Sequence, residues 1–270
     1  MKTRFYSFAA MFALILASIS VVPNKAQPML KEENVTYMSD GVALKGFVVY
    51  DESKLGKRPA ILVVHEWWGL NEYVKNRARK LAALGYIAMA VDMYGDGKTA
   101  SNPQQAQEMA SPFYKNPQLA KTRLDAALDK VKEFKETDAT KIAAIGYCFG
   151  GSVLLNSAKL GADLKGVVSF HGGLSGVPAN KELLKAKILV CHGAADKFVS
   201  ESDVVNFKNS LDSIGADYTF KIYANATHAF TNPDATETGK KFNMPIEYNE
   251  TADKASWIDM QNFLNNLFKK

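Results

Sequence analysis

A cysteine bracketed by glycines, in Gly146-Tyr147-Cys148-Phe149-Gly150-Gly151, restricts what this chain can fold into more than any other stretch. The apolar run before it, Ile142-Ala143-Ala144-Ile145, suits a buried strand, and Ser152-Val153-Leu154-Leu155 behind it continues as a helix. Strand, sharp turn and helix therefore follow one another, with glycine at positions where a Cβ would collide. A residue at the tip of such a turn is lifted out of the sheet and shown to solvent. The backbone N–H groups around it lie at a helix N-terminus, where an oxyanion is favoured. Position alone makes Cys148 a candidate nucleophile.

The rest of the chain supplies a sheet for that turn to sit on. Val35–Met38 and Val42–Val49 read as an antiparallel hairpin around Ser39-Asp40-Gly41. Ala60–Val64 is continuously apolar, as a strand covered on both faces requires, and Tyr86–Val91 is a second such strand. Between them Glu72–Leu84 has helical spacing (Val74, Ala78, Leu81, Ala82) and stops at Gly85. A helix-rich stretch from Pro103 to about Glu136 places Leu124, Leu128, Val131 and Phe134 on one face. Beyond the cysteine a helix runs to about Leu160, and Gly166–Phe170 and Lys187–Val190 are further strands. Ser200 and Asp203 form a capping-box pattern for a helix to Ile214. Asp217–Tyr223 is a last strand, and Glu250–Phe268 a final amphipathic helix. Alternating strands and helices imply an α/β fold whose sheet is mostly parallel, with helices on both faces. Ligands in such sheets bind beyond the carboxyl ends of the strands.

At 270 residues and 47% hydrophobic composition the chain can bury a large core as one domain, expected over residues 27–270. The formal charge of +5 includes Lys2, Arg4 and Lys25, and residues 1–26 contain no acid, so the remainder carries +2. That balance argues against nucleic acid as a partner. Residues 1–26 read as an export signal: a short basic start, an apolar stretch from Phe5 to Val22, then Pro23-Asn24-Lys25. Cleavage is expected after Ser20 or after Ala26, leaving a periplasmic or secreted protein with no stable membrane association. No cysteine near the end of this segment supports a lipid anchor.

Only Cys148 and Cys191 are present. An exported chain could pair them. Cys191, however, ends the strand-like run Lys187–Val190 and reads as a buried apolar filler. A thiol nucleophile needs a base, and the base needs an orienting group. Asp196, in His192-Gly193-Ala194-Ala195-Asp196, lies just past a strand, and His228, in Ala226-Thr227-His228-Ala229-Phe230, just past the last one. His65, His171 and His192 stand at or near strand ends and are read as structural, bonding to loop carbonyls. No His-x-x-x-His or Cys-x-x-Cys spacing supports a metal site.

Taken together, these motifs resemble the dienelactone hydrolase family of the α/β-hydrolase superfamily, from about Val35 to Phe268. The matching stretches are His65-Glu66-Trp67-Trp68-Gly69, Asp92-Met93-Tyr94, the Cys148 turn, His192–Asp196 and Thr227-His228-Ala229-Phe230. In that superfamily the turn is a G-x-S-x-G nucleophile elbow, here with cysteine for serine, and the acid and histidine follow in that order. The resemblance implies a Cys148, Asp196, His228 triad and a fourth participant, Glu66. A glutamate there contacts the cysteine in the resting enzyme and takes the thiol proton once substrate displaces it. The resemblance also implies an oxyanion hole from the backbone N–H groups of Trp67 and Phe149. A carboxylate closely following an apolar strand and beside two tryptophans is partly desolvated, which is costly without a task or partner. Trp67, Trp68 and Tyr94 are either an aromatic pocket lining or core.

Two features depart from the family. Dienelactone-cleaving members hold the substrate carboxylate with two arginines, at positions occupied here by Asp96 and Asn232. An aspartate repels a carboxylate where arginine would clamp it, and Lys98 is the nearby cation. The expected activity is hydrolysis of a carboxylic ester or lactone through a cysteine acyl-enzyme, without cofactor, on a small-molecule substrate other than the anionic dienelactone. Two competing readings are a non-catalytic ligand-binding homologue and a thiol redox or sensor protein. The ordered triad opposes the first and the missing Cys-x-x-Cys the second.

Overall fold

A computed structural model describes residues 1–3 and 27–269. The expected export signal and both its cleavage positions fall at residues 4–26, outside the described residues. Eight strands form one sheet: β1 (Leu30–Ser39), β2 (Val42–Asp51), β3 (Arg58–Val64), β4 (Ile87–Val91), β5 (Thr137–Tyr147), β6 (Gly166–Phe170), β7 (Lys187–Gly193) and β8 (Tyr218–Tyr223). Helices α1 (Glu72–Ala83), α2 (Pro103–Lys115), α3 (Pro117–Lys132), α4 (Phe149–Lys159), α5 (Glu201–Asp212), α6 (Ala235–Phe242) and α7 (Glu250–Phe268) connect and cover it. The strand order is β1-β2-β4-β3-β5-β6-β7-β8. β1 and β2, and β2 and β4, pair antiparallel, whereas β4, β3, β5, β6, β7 and β8 run parallel. This is the mostly parallel α/β sheet that the alternation of segments implies.

Period-two alternation explains why the central strands are apolar on every residue. Ile87, Met89 and Val91 of β4 enter one core, and Ala88 and Ala90 the other. The first core is closed by α2, α3, α4 and α5 through Phe113, Leu124, Leu154 and Phe207. The second is closed by α1 and α7 through Val74, Leu81, Met260 and Leu264. Each large side chain buried in this way contributes about 1.5–3 kcal/mol. Because β3, β5, β7 and β8 are parallel, their carboxyl ends open on one edge of the sheet, and the candidate residues stand there.

Asparagine or serine side chains start α1, α2, α3, α5 and α7. Asn71, Asn102 and Asn249 cap α1, α2 and α7, and Ser200 and Asp203 make the reciprocal capping box of α5. Several elements differ from the sequence expectation, among them β5, which begins at Thr137 rather than Ile142, and β7, which runs on to Gly193. β1 begins at Leu30 rather than Val35, because Leu30-Lys31-Glu32-Glu33-Asn34 is a solvated edge segment whose polarity masks its pairing with β2. α6 was not anticipated: Ala235–Phe242 contains Gly239, a poor helix former, and ends on Asn243 in the left-handed region.

Candidate active site

Cys148 is the single residue between β5 and α4, with φ 51 and ψ −112. A side chain resists that conformation, so the surroundings must impose it. The Cys148 N–H is shared between Phe170 O at 3.0 Å and His171 Nδ1 at 3.1 Å, and the Gly150 N–H donates to His65 O at 3.0 Å. These bonds tie the turn to the ends of β3 and β6. The approach leaves no room for a Cβ: one on Gly146 would stand 2.4 Å from the Gly150 carbonyl, and one on Gly150 would stand 2.4 Å from Val64 O. Phe149 then opens α4, and its N–H lies at the helix N-terminus beside the thiol.

Three elements converge on the sulfur. His228 Nε2 is 3.0 Å from Cys148 Sγ, and His228 Nδ1 is 2.9 Å from Asp196 Oδ2. Asp196 Oδ1 accepts the Phe198 N–H at 2.9 Å, so both carboxylate oxygens are held and the group is buried. Burial alone would discharge His228. The charge of the neighbouring cysteine and the Asp196 carboxylate outweigh it and hold the imidazole well above its ordinary pKa. A sulfur, an imidazole and a carboxylate in line can pass a proton from thiol to ring, with the carboxylate fixing the tautomer.

Glu66 is buried at the same edge, two residues past β3. Its Oε2 accepts the Asn232 amide at 2.7 Å, while the sulfur's partner is His228. The arrangement thus differs from the glutamate–cysteine contact that the resemblance implied for the resting enzyme. Burial pushes the Glu66 carboxyl up to about 7, against the pull of the Asn232 amide and of His228 and Arg77.

Cys148, His228 and Glu66 open into a cavity of about 390 Å³. Its walls are mainly aromatic and aliphatic: Trp67, Trp68, Tyr114, Phe198, Met244 and Ile246. Among the described residues no lysine or arginine lines it. Trp68 is thereby a lining residue. Tyr94 is core: its hydroxyl donates to Trp67 O at 2.9 Å, and its ring packs on His65, Phe113 and Phe149. Asp96 is exposed in the turn after β4 and Lys98 is exposed near it, so neither faces this cavity. Asn232 is spent on Glu66 rather than aimed at a ligand. The sequence reading missed Tyr114 on α2, Phe198 beside Asp196, and Met244 and Ile246 after α6. Only Phe198, two residues from a candidate acid, carried a positional signal.

The other histidines separate by their partners. His65 donates from Nδ1 to Glu66 O at 2.5 Å and accepts the Met93 N–H at Nε2, and burial lowers its pKa to about 4. His192 packs on Phe220. His171 bonds to the turn at Cys148 instead of to a loop carbonyl. Cys148 and Cys191 are both free thiols, and Cys191 is fully buried against the Tyr223 hydroxyl. Among the described residues no group of three or more His, Cys, Asp or Glu side chains is arranged to hold a metal ion. No described helix is long and apolar enough to cross a membrane.

Comparison with known proteins matches this geometry to relatives. A curated relative, Protein usf of Aquifex pyrophilus, is 30% identical over 209 residues, covering 73% of this chain and 86% of its own. Among solved structures, the dienelactone hydrolase-like promiscuous phosphotriesterase P91 from metagenomic libraries is 34% identical, with a TM-score of 0.83. That match covers 88% of this chain and 98% of P91. The structure named m3DLH is 33% identical with a TM-score of 0.82, over the same shares of the two chains. The profile of the dienelactone hydrolase family matches residues 38–268. With the α/β-hydrolase sheet and nearly the whole chain covered, the chain belongs to the dienelactone hydrolase family of hydrolases.

Proposed function

We propose that this protein hydrolyses an uncharged carboxylic ester or lactone through a thioester on Cys148. The observation that carries the reading is the sulfur 3.0 Å from His228 Nε2 and the imidazole 2.9 Å from Asp196, at the floor of an apolar cavity. His228 takes the thiol proton as Sγ attacks the carbonyl carbon. The N–H groups of Phe149 and Trp67 hold the oxyanion, each worth about 10²–10³ in rate. His228 then returns the proton to the leaving alkoxide. Water, deprotonated by the same ring, attacks the thioester carbon and releases the acid and the thiol. The apolar lining without lysine or arginine supports a neutral substrate over the anionic dienelactone.

Hydrolysis of p-nitrophenyl esters of graded acyl length tests this. Cys148→Ala should lower kcat by about 10⁴-fold or more; undiminished turnover in that variant would overturn the covalent route. A wild type that turns over no ester or lactone, yet whose thiol cycles in a redox buffer, would favour the sensor reading. The mainly apolar cavity and the 34% identity to P91 favour a second reaction as well, thiolate attack on a phosphotriester. Release of p-nitrophenol from paraoxon measures it, and none above the Cys148→Ala background would exclude it. We also propose that the enzyme acts outside the cytoplasm, on the strength of residues 1–26. N-terminal sequencing of native protein should begin after Ser20 or Ala26, and a retained Met1 would sink the proposal.

A further inference from the structure

We propose that His171 is a positioning residue that sets the distance between Cys148 and His228 through its two ring nitrogens. This rests on the reading of Cys148 as nucleophile and His228 as its base. His171 does not line the cavity and touches no reacting atom. Its place is behind both partners, fully buried just past β6.

The geometry determines the tautomer. Nδ1 faces the Cys148 N–H at 3.1 Å and must accept, so the proton resides on Nε2, which donates to Thr231 Oγ1 at 2.7 Å. Thr231 is three residues beyond His228 and is itself anchored. Its hydroxyl meets Tyr73 OH at 2.6 Å, and its carbonyl accepts from Arg77, which pairs with Asp253 at 2.7 Å. One imidazole therefore spans from the nucleophile's own backbone to the His228 loop, and α1 and α7 brace the far end. Only an imidazole carries an acceptor and a donor on opposite edges of so short and rigid a body. Its faces are occupied too: the ring meets His228 edge-on at 5.3 Å, Phe230 at 5.2 Å and Tyr147 at 6.1 Å. The backbone is held at φ 41 while its N–H donates to Cys191 O at 2.9 Å.

Neutrality is essential, because a second ring proton would turn Nδ1 into a donor facing another donor. The titratable and charged groups around it are Cys148, His228 and Tyr147, with Tyr73 and Arg77 of α1 and, through Arg77, Asp253 of α7. Burial first, then the positive fields of His228 and Arg77, keep its pKa well below the ordinary value. Two histidines in edge contact thereby have their ring pKa values pushed in opposite directions.

The test uses the full-length protein in a Cys191→Ala background, so that alkylation reports Cys148 alone. His171→Leu removes both bonds. His171→Asn keeps an acceptor near the Nδ1 position, and Thr231→Val removes the far anchor while preserving shape. Three quantities are measured on each folded variant: kcat and KM on a p-nitrophenyl ester, thermal midpoint, and the rate of iodoacetamide alkylation at neutral pH. His171→Leu should lower kcat about 10²-fold with KM within about twofold, as a displacement near 1 Å predicts. Its alkylation should slow about tenfold at neutral pH, because the sulfur no longer sits 3.0 Å from the ring nitrogen that takes its proton. His171→Asn should recover most of the kcat, and Thr231→Val should lose about tenfold. A folded His171→Leu variant with kcat and alkylation rate unchanged, whatever its thermal midpoint, overturns the proposal. If that variant does not fold, unchanged kcat and alkylation rate in Thr231→Val overturn it instead. Alkylation needs no turnover, so failure of the nucleophile reading, seen as ester hydrolysis surviving Cys148→Ala, remains distinguishable.

Discussion

The two ends of the sheet solve the same geometric problem with different residues. At the amino ends the chain turns into its strands on glycines in the left-handed region: Gly56 before β3, Gly85 before β4, Gly161 before β6 and Gly215 before β8. At the carboxyl ends Gly69, Gly95 and Gly97 also lie in that region, but residues bearing side chains join them: Asp96 after β4, Cys148 after β5, His171 after β6 and Ala229 beyond β8. Glycine enters this conformation freely, whereas a Cβ costs about 1–2 kcal/mol. Polarity divides in the same way. Exposed lysines (Lys57, Lys141, Lys165, Lys187) stand beside the amino ends, while His65, Glu66, Asp92, His171 and Asp196 are buried at or beyond the carboxyl ends. Strain and desolvated polar groups thus gather where side chains must be presented to a ligand, and the opposite end is built for solubility and easy turning.

The contrast can be broken by adding one methyl group at each end. Gly146→Ala places a Cβ 2.4 Å from backbone atoms that cannot move, and should cost at least about 3 kcal/mol in urea unfolding, with loss of activity. Gly85→Ala meets only the flexible end of Lys54 at 2.5 Å, so its cost should be the conformational one, about 1–2 kcal/mol, with kcat unchanged. Equal losses at both sites would erase the distinction.

A subtler change at the carboxyl end is Asp196→Asn. It preserves shape but removes the acceptor that orients His228, and kcat should fall about 10⁴-fold with little change in thermal midpoint. A loss below tenfold would mean that the imidazole is oriented by something else.

Glu66 gives a pH signature. Its folded pKa, about 7, lies above its unfolded value, so the folded state binds its proton more tightly. That contribution to stability is complete below about pH 4.5 and is lost as the pH rises through 7. Thermal melts of Glu66→Gln between pH 5 and 8 should therefore be flatter than those of the parent. A parent whose stability rises across that window would contradict the assignment. The smallest effect belongs to Cys191→Ala, about 1 kcal/mol of packing with kcat unaltered, which sets the second cysteine apart from the first.

Much of this architecture is legible in the residue pattern, because buried parallel strands are apolar throughout and the turn at Cys148 tolerates only glycine at its close contacts. The order of the acid and histidine motifs then assigns Asp196 and His228 to neighbouring strand ends. What escapes is contact between distant segments. Nothing in the neighbourhood of Asn232 announces that its amide meets Glu66, a partner 166 residues away. His171 carries no local mark of its bond to the Cys148 backbone either. Ala235–Phe242 escapes for a local reason, since Gly239 interrupts a short helical pattern and packing against Ile246 decides the outcome.

The strand order also has a consequence for how the chain assembles. From β5 onward each new strand joins the outer edge of the one before it, β6 then β7 then β8, so this half of the sheet grows in the direction of synthesis. Asp196 arrives after β7 and His228 only after β8. A partly folded chain can therefore hold Cys148 on a finished turn before His228 is in place, and on the proposed mechanism the thiol gains its base only when the last strand docks. Reactivity on that mechanism is deferred to the end of folding, when the cavity walls exist to control what reaches the sulfur.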